Sequence, residues 1–130
     1  MNIDFTEVKI YLIILVIFLV IDIPMITIIN KDMYMKHFEK INRGGMNIST
    51  NTYIGAIISY LLLALGLYIF VISSDCSWIK GSLYGLVVYG IYNYTNLATI
   101  NSYENKIAIM DTLWGSFLCG LIVIIYKYFI

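Results

Sequence analysis

Residues 89–115, YGIYNYTNLATINSYENKIAIMDTLWG, decide how the chain folds. In this stretch an apolar helix becomes polar, the chain reverses direction, and a second apolar segment begins with an aspartate inside it. Asn93, Asn96 and Asp111 therefore interrupt hydrophobic sequence, where an unpartnered polar side chain is costly. We expect these side chains to meet polar partners inside the fold.

The overall composition is that of a membrane protein. Of the 130 residues, 61% are hydrophobic and 12% are charged, and the mean hydropathy is +0.86. These values are too apolar for a soluble domain of this size. A spanning helix needs ~20 mostly apolar residues, so a chain of this length holds at most about four spans. The sequence predicts a single all-α membrane domain over residues 1–130, surrounded by a lipid bilayer.

Four apolar segments and one amphipathic segment are predicted. The spans are expected at about residues 9–29, 53–72, 81–99 and 107–130. After the first span, Tyr34 and Phe38 recur at helical spacing within a polar segment, which predicts a short interfacial helix over about residues 31–43. Gly44 and Gly45 are expected to end it, and a solvated connector helix is the alternative. The expected fold is a four-transmembrane-helix bundle with this short helix after span one.

Connectivity brings the polar residues to one level of the membrane. The first and third spans end, and the fourth begins, at the same face. At 1.5 Å per residue, Asp22 lies ~12 Å from that face, Asn93 and Asn96 lie ~7 to 12 Å from it, and Asp111 lies ~7 Å from it. The predicted polar cluster contains Asp22, Asn93, Thr95, Asn96, Asp111 and Trp114.

Two interpretations of the polar cluster stay open at this point. Its carboxylates could handle a proton or a cation, as in a small proton- or cation-coupled transporter or channel. The same side chains could instead form a hydrogen-bond network that holds the helices together. The second interpretation fits a structural or assembly subunit of a cell or virion membrane. An enzyme is disfavoured, because no catalytic motif is recognisable.

Several kinds of site and partner are disfavoured by the sequence. A formal net charge of +0, without a long basic run, argues against nucleic acid as a partner. Cys76 and Cys119 have no metal-ligand spacing and are not expected to form a disulfide, and His37 has no second ligand nearby. No catalytic residue, cofactor or metal site is predicted.

Small residues mark two faces for close helix contact. Gly81 and Gly85 form a GxxxG motif in the third span, and Ser116 and Gly120 lie four residues apart in the fourth. Such positions allow another helix to approach closely. The partner could be a helix of the same chain or of a second copy, so we also consider a homo-oligomer through either face.

Three motifs carry a resemblance to a known family. They are an aspartate late in the first span at Asp22, the segment YNYTNLAT at residues 92–99, and DTLWG at residues 111–115. With these motifs the chain resembles, over nearly its whole length, a mainly bacterial family of small predicted four-span membrane proteins classified as a domain of unknown function. Met25 replaces that family's tryptophan after Asp22, and Asn93 replaces its usual aspartate. The resemblance implies a fold and a membrane location, but no activity.

Charge and residue usage bear on orientation and location. The first and third loops carry Lys31, Lys36, Lys40, Arg43 and Lys106, against Lys9, Lys80 and Lys127 on the other face. This excess predicts that the face of the polar cluster is cytoplasmic and that both termini are outside. Heavy use of Ile, Asn, Lys and Tyr suits the AT-rich genome of a low-GC bacterium or a large DNA virus. The expected location is a cell membrane or, for a virus, a viral or host membrane.

Overall fold

The computed structural model describes residues 3–42 and 48–130, and helices are the only regular elements in that part of the chain. The helices in chain order are α1 (Phe5–Pro24), α2 (Lys31–Ile41), α3 (Thr50–Leu67), α4 (Trp78–Thr99) and α5 (Asn105–Phe129). One turn of π-helix extends α1 over Met25–Ile29, and another extends α3 over Tyr68–Ile72. The expectation of an all-α fold is confirmed for these residues.

Three helical segments of the described chain are long and apolar enough to cross a membrane: Phe5–Ile29, Thr50–Ile72 and Asn105–Phe129. The fourth long helix, α4, has 22 residues and is less apolar, because its last turns carry Asn93, Thr95 and Asn96. A helix of this length rises ~33 Å, about the thickness of the hydrocarbon layer. α4 is thus long enough to span the membrane but is not among the three apolar segments, so a span at α4 stays a prediction.

Side-chain caps explain why two helices begin earlier than the sequence predicts. The Asp4 carboxylate accepts a hydrogen bond from the backbone N–H of Thr6, and the Glu7 carboxylate accepts one from the N–H of Asp4. Ser49 and Thr52 form a similar reciprocal cap before α3. Such caps satisfy backbone donors that have no partner within the helix, so α1 and α3 gain about one turn each.

Pro24 sets the geometry at the end of α1. Proline has no backbone N–H, so the regular helical hydrogen-bond pattern cannot continue through it. The chain continues instead as a π turn, in which the N–H of Asn30 donates to the carbonyl of Met25 at 2.9 Å. The interruption at this proline thus takes the form of a π turn, which begins three residues after Asp22.

α4 and α5 are antiparallel neighbours that pack closely along their length. A Cβ atom at Gly85 would overlap the carbonyl of Gly115, and one at Gly81 would meet Val123. The Ser116 hydroxyl donates to the carbonyl of Ser82 at 2.9 Å. Close contacts of this kind need small residues, so the GxxxG motif acts within the chain.

Both faces proposed for a homo-oligomer are used inside the monomer. Gly81 and Gly85 face α5, and a Cβ at Gly120 would overlap the side chain of Ser82 on α4. These faces are therefore not free for a second copy while α4 and α5 are in contact. A homo-oligomer stays a prediction, and it would need another surface.

The apolar core lies where α1, α3 and α5 meet. Its fully buried side chains include Ile14, Phe18, Leu67, Leu118 and Ile122. α5 is the central helix, with 50% of its most apolar window buried, against 22% for α1 and 17% for α3. The remaining apolar surface of α1 and α3 faces outward, as expected where lipid tails replace water.

α2 packs across the end of the bundle at which α4 joins α5. Tyr34 and His37 point inward, whereas Lys36 and Lys40 are exposed. The Lys40 ammonium forms an ion pair with Glu104 of the α4–α5 loop at 3.2 Å. The predicted end of this helix at residues 43–45 lies outside the described residues, and its interfacial position stays a prediction.

Candidate functional site

Asp22 connects three helices through its carboxylate. Its side chain is 5% exposed on α1. One carboxylate oxygen accepts a hydrogen bond from the Tyr60 hydroxyl of α3 at 2.5 Å, and the other accepts one from Trp114 Nε1 of α5 at 2.7 Å. Both oxygens of this buried acid therefore have a donor, and both donors are neutral.

Asp111 connects three helices in the same way. One oxygen of its carboxylate accepts a hydrogen bond from the Tyr34 hydroxyl of α2 at 2.8 Å, and the other accepts one from Asn93 Nδ2 of α4 at 2.6 Å. The two acids are close enough to interact electrostatically. Together their hydrogen bonds tie all five helices to one polar cluster.

Asn93 orients Asp111 through an amide with a fixed direction. Its Nδ2 also donates to the Tyr89 carbonyl at 2.8 Å, and its Oδ1 accepts from the Tyr103 hydroxyl at 2.7 Å. The side chain is fully buried, and its amide has partners on both ends. An ionised aspartate at this position could not donate to Asp111 and would repel it, whereas the amide donates without adding a negative charge.

The structure brings together four of the six residues of the predicted polar cluster: Asp22, Asn93, Asp111 and Trp114. Asn96 lies at the edge, where its amide interacts with the Tyr92 and Tyr103 hydroxyls. Thr95 is exposed, and its carbonyl accepts a bond from Thr99. Two residues along a helix correspond to a rotation of about 200°, which turns Thr95 away from the side on which Asn93 lies.

Four further side chains of the cluster region escaped the sequence analysis of polar positions: Tyr34, Tyr60, Tyr103 and His37. Each tyrosine donates its hydroxyl to an acid or to Asn93. The sequence does contain a signal for these tyrosines, because a buried tyrosine hydroxyl needs a hydrogen-bond partner. Each of the three tyrosines lies within two or three helical turns of the membrane face at which the acids are predicted. Burial, with the charge of Asp111, raises the pKa of Tyr34 above its usual range, so this hydroxyl keeps its proton and donates.

His37 is a buried histidine rather than the interfacial side chain that its position in a polar segment indicates. It is 2% exposed, and its ring stands edge-on to Tyr103 with the centroids 4.5 Å apart. Neither ring nitrogen has a hydrogen-bond partner among the described residues. Burial lowers the pKa of His37 below its usual range, although the nearby carboxylates of Glu104 and Asp111 oppose this effect.

A cavity of about 660 Å³ lies beside the polar cluster. Asp22 and Asp111 both line it, with the hydroxyl-bearing rings of Tyr34 and Tyr60. The other walls are mostly apolar. Ile26, in the π turn after α1, and Phe38 of α2 contribute to them, and α3 and α4 contribute most of the rest, including Ala56, Leu62, Leu63, Gly66, Tyr84, Val88 and Tyr89. Pockets of ~300 to 1,000 Å³ hold small organic ligands in proteins. The two acids are thus wall residues of a common space.

Neither acid has an ion-pair partner in the described part of the chain. Within residues 3–42 and 48–130, the ion pairs are Lys40 with Glu104 and Lys80 with Asp75, and no Lys, Arg or His nitrogen lies within 4.0 Å of the Asp22 or Asp111 carboxylate. The described residues also include no group of three His, Cys, Asp or Glu side chains placed to hold a metal ion. The arrangement suits proton exchange or binding of a positively charged group.

A protein-family model described as "Predicted membrane protein (DUF2177)" matches residues 7–127. The chain belongs to this family. Comparisons with curated proteins and with solved structures found no match. The family is one of predicted membrane proteins of unknown function, in agreement with the composition and with the three apolar helices.

The matched region of this DUF2177 member includes the whole polar cluster, from Asp22 to Trp114. The family resemblance inferred from the sequence motifs is therefore confirmed, as is the assignment to membrane proteins. The family description states no activity, so evidence for the role of the cluster comes from its geometry.

Proposed function

We propose that this protein is a four-span membrane carrier in which Asp22 and Asp111 bind and release a proton or a small cation. α1, α3, α4 and α5 are the spans, with α4 held against α5 by its glycines. The observation that carries the proposal is the shared cavity, which two carboxylates line without a cationic partner in the described part of the chain. Intramembrane acids are costly and usually serve ion or proton handling.

The chemistry of the donors suits a cluster that changes its charge. A tyrosine hydroxyl can donate to an ionised carboxylate and can rotate to accept from a protonated one. Tyr60 and Tyr34 each contact one acid, so a proton taken up by either acid finds an acceptor in the tyrosine oxygen. A cation in the cavity has the same effect, because it offsets the negative charge.

In this proposal α2 lies at the membrane surface and the cluster faces the cytoplasm. Lys36 and Lys40 are exposed on α2, and the loops on this face carry more lysine and arginine than the opposite side. The α3–α4 loop with Cys76 then faces outside. A membrane-impermeant maleimide should label Cys76 in intact cells, and should label a Ser102→Cys, Cys76→Ser variant only after permeabilisation. The reverse pattern would invert the orientation.

The functional test is cation and proton flux in proteoliposomes with the Asp22→Asn and Asp111→Asn variants. An asparagine can keep its Oδ1 toward the donor-only Trp114 and turn its Nδ2 toward Tyr60, so the fold should survive the change at Asp22. We expect the flux through each variant to be at least about tenfold lower than the flux through the parent protein. A tenfold change corresponds to a ~1.4 kcal/mol loss of interaction free energy.

The matched control is Asp75→Asn. Asp75 is an exposed loop acid paired with Lys80 at 2.6 Å, outside the cavity. This variant should transport as the unsubstituted protein does. Flux that is equal in all three variants and in the parent, or absent from the parent as well, would remove the carrier function.

A structural role is the second candidate, because the hydrogen bonds of Asp22 and Asp111 connect all five helices. Buried polar networks can hold helices in one arrangement. For an assembly or structural subunit, the same two substitutions should lower the free energy of unfolding or change the oligomeric state, with no transport phenotype. Measuring unfolding and flux on the same preparations separates the two candidates.

A further inference from the structure

The cavity opens between α3 and α4. These helices pack sparsely against each other, and the Tyr84 hydroxyl bridges them by donating to the Leu63 carbonyl at 3.0 Å. Three wall residues are also largely exposed on the outer surface: Leu62 at 61%, Phe70 at 70% and Tyr92 at 58%. Wall residues that are both inside the cavity and exposed mark its mouth, so the mouth lies on the flank of the bundle.

In the proposed membrane arrangement this mouth faces lipid tails. A molecule that enters from the flank comes from the bilayer and must have an apolar part. The walls between the two helices provide an apolar channel along α3, from Tyr60 through Leu63 and Gly66 to Phe70. Ten residues of helix rise ~15 Å, so the channel is long enough for much of a hydrocarbon chain.

The two acids determine which charge the polar head of such a molecule must carry. Asp22 and Asp111 receive hydrogen bonds from neutral donors, which reduce their negative charge but do not cancel it. A phosphate, sulfate or carboxylate head would be repelled there. A positively charged nitrogen complements the site, because neither acid has an ion-pair partner among the described side chains and the nitrogen would supply one.

We infer that the cavity binds a cationic amphiphile, with one amine or quaternary ammonium head at Asp22 and Asp111 and a single hydrocarbon tail between α3 and α4. This inference rests on the proposed function and names the class of its solute. The molecule enters sideways from the bilayer, and its tail lies against Leu63 and Val88.

The test uses Trp114 as a reporter, since its indole is bonded to Asp22. Trp78 is the only other tryptophan, and a Trp78→Phe background leaves one emitter. The probe is a long-chain amine with a nitroxide quencher on its hydrocarbon chain, added to the protein in phosphatidylcholine nanodiscs. The alcohol and the carboxylate with the same labelled chain serve as controls for partition into the bilayer.

We expect the amine to quench Trp114 at about one tenth of the concentration that the alcohol needs, as for one added charge-assisted contact. The carboxylate should quench least. Quenching by the alcohol at the same concentration as the amine would overturn the inference, because the site would then not recognise the cationic head.

Two neighbouring valines on α4 provide the matched variants. Val88 lines the cavity, whereas Val87 is 56% exposed and lies outside it. Val88→Phe narrows the channel and should weaken quenching by the amine about tenfold, while Val87→Phe should change it by less than about twofold. Equal quenching in both variants would overturn the inference. Ser59→Phe, at an exposed wall position, repeats the test with Ile58→Phe as its control.

The outcome is separable from that of the flux assay. Selective quenching by the amine that Val88→Phe weakens supports the inference even where no proton or cation flux is found, and the carrier function is then withdrawn alone. If flux depends on Asp22 and Asp111 but the amine, the alcohol and the carboxylate quench Trp114 at the same concentration, the carrier function is supported. The cationic amphiphile is then overturned as its solute.

Discussion

Asp22 and Asp111 have the same pattern of hydrogen bonds although they lie far apart in the sequence. Each carboxylate oxygen accepts one hydrogen bond from a neutral donor, and all four donors are ring or amide groups that lie on helices. Donors of this kind reduce the cost of burying the charge without neutralising it. The acids therefore stay available for a proton or a cation.

His37 has a testable effect on the pH dependence of stability. Burial lowers its pKa below the ordinary value of 6.5. At pH values just below ~6.5, the His37 imidazole binds a proton in the unfolded chain but not in the folded one. The free energy of unfolding therefore falls as the pH falls through this range. Above pH ~6.5 both forms are neutral and the stabilisation is fully present.

The measurement is detergent unfolding of the parent protein and of His37→Phe between pH 8 and pH 5. The variant removes two buried nitrogens without partners, so it should be at least as stable at pH 8. It should also lose less stability on acidification than the parent, in which the charges of Glu104, Lys40 and Asp111 act on the imidazole. An identical pH profile for the two proteins would contradict this account of His37.

At the scale of helices, the close contact of α4 with α5 makes a sharp prediction at Gly85. A methyl group there would overlap the Gly115 carbonyl, and backbone atoms cannot move aside as a flexible side chain can. We expect Gly85→Ala to lower the free energy of unfolding by ~1 to 3 kcal/mol, as for an overpacked core.

The control for Gly85→Ala is Gly55→Ala in α3, where a Cβ meets no atom within 4 Å. Replacing a glycine in a helix by alanine should stabilise the protein by ~0.5 to 1 kcal/mol when the space is open. Unfolding in mixed SDS and maltoside micelles measures both variants. Equal free energies of unfolding would show that α4 does not approach α5 as closely as described.

Much of the helical arrangement could be predicted because hydropathy and short loops determine it. The brief connection at residues 100–104 makes α4 and α5 antiparallel neighbours. Counting residues from the common face then puts Asp22, Asn93 and Asp111 at a similar depth. That reasoning needs no knowledge of how each helix is rotated about its axis.

Helix rotation is what the sequence leaves undetermined. Thr95 shares the depth of Asn93 but lies on another side of α4, and Tyr60 belongs to a span that contributes no residue to the predicted polar cluster. The hydrophobic pattern of a membrane helix is nearly uniform, so it gives little information about which side faces the protein. His37 escaped for a related reason, since its burial depends on the loop residue Tyr103.

At the scale of the whole molecule, the cavity and the lipid-facing surface are parts of one arrangement. α3 packs against α1 and α5 through the apolar core, and tyrosine hydroxyls also donate to its carbonyls, from Tyr11 to Leu61 and from Tyr84 to Leu63, both at 3.0 Å. Its contact with α4 is sparse, which leaves space beside it. That space is where the two acids meet.

The most direct test of the central claim is chemical cross-linking in membranes. The only cysteines, Cys76 and Cys119, are first replaced by serine and alanine. Asp22→Cys is then paired either with Asp111→Cys or with Ile109→Cys, a position that is 50% exposed on the outer side of α5. A short flexible bis-methanethiosulfonate is added, and the cross-linked peptides are measured by mass spectrometry, normalised to single labelling at each position.

If both acids line one cavity, the Asp22→Cys and Asp111→Cys pair should cross-link within one chain several-fold more than the pair with Ile109→Cys. Cross-linking that is absent from the first pair, or equal in the two pairs, would contradict the shared cavity on which the account depends.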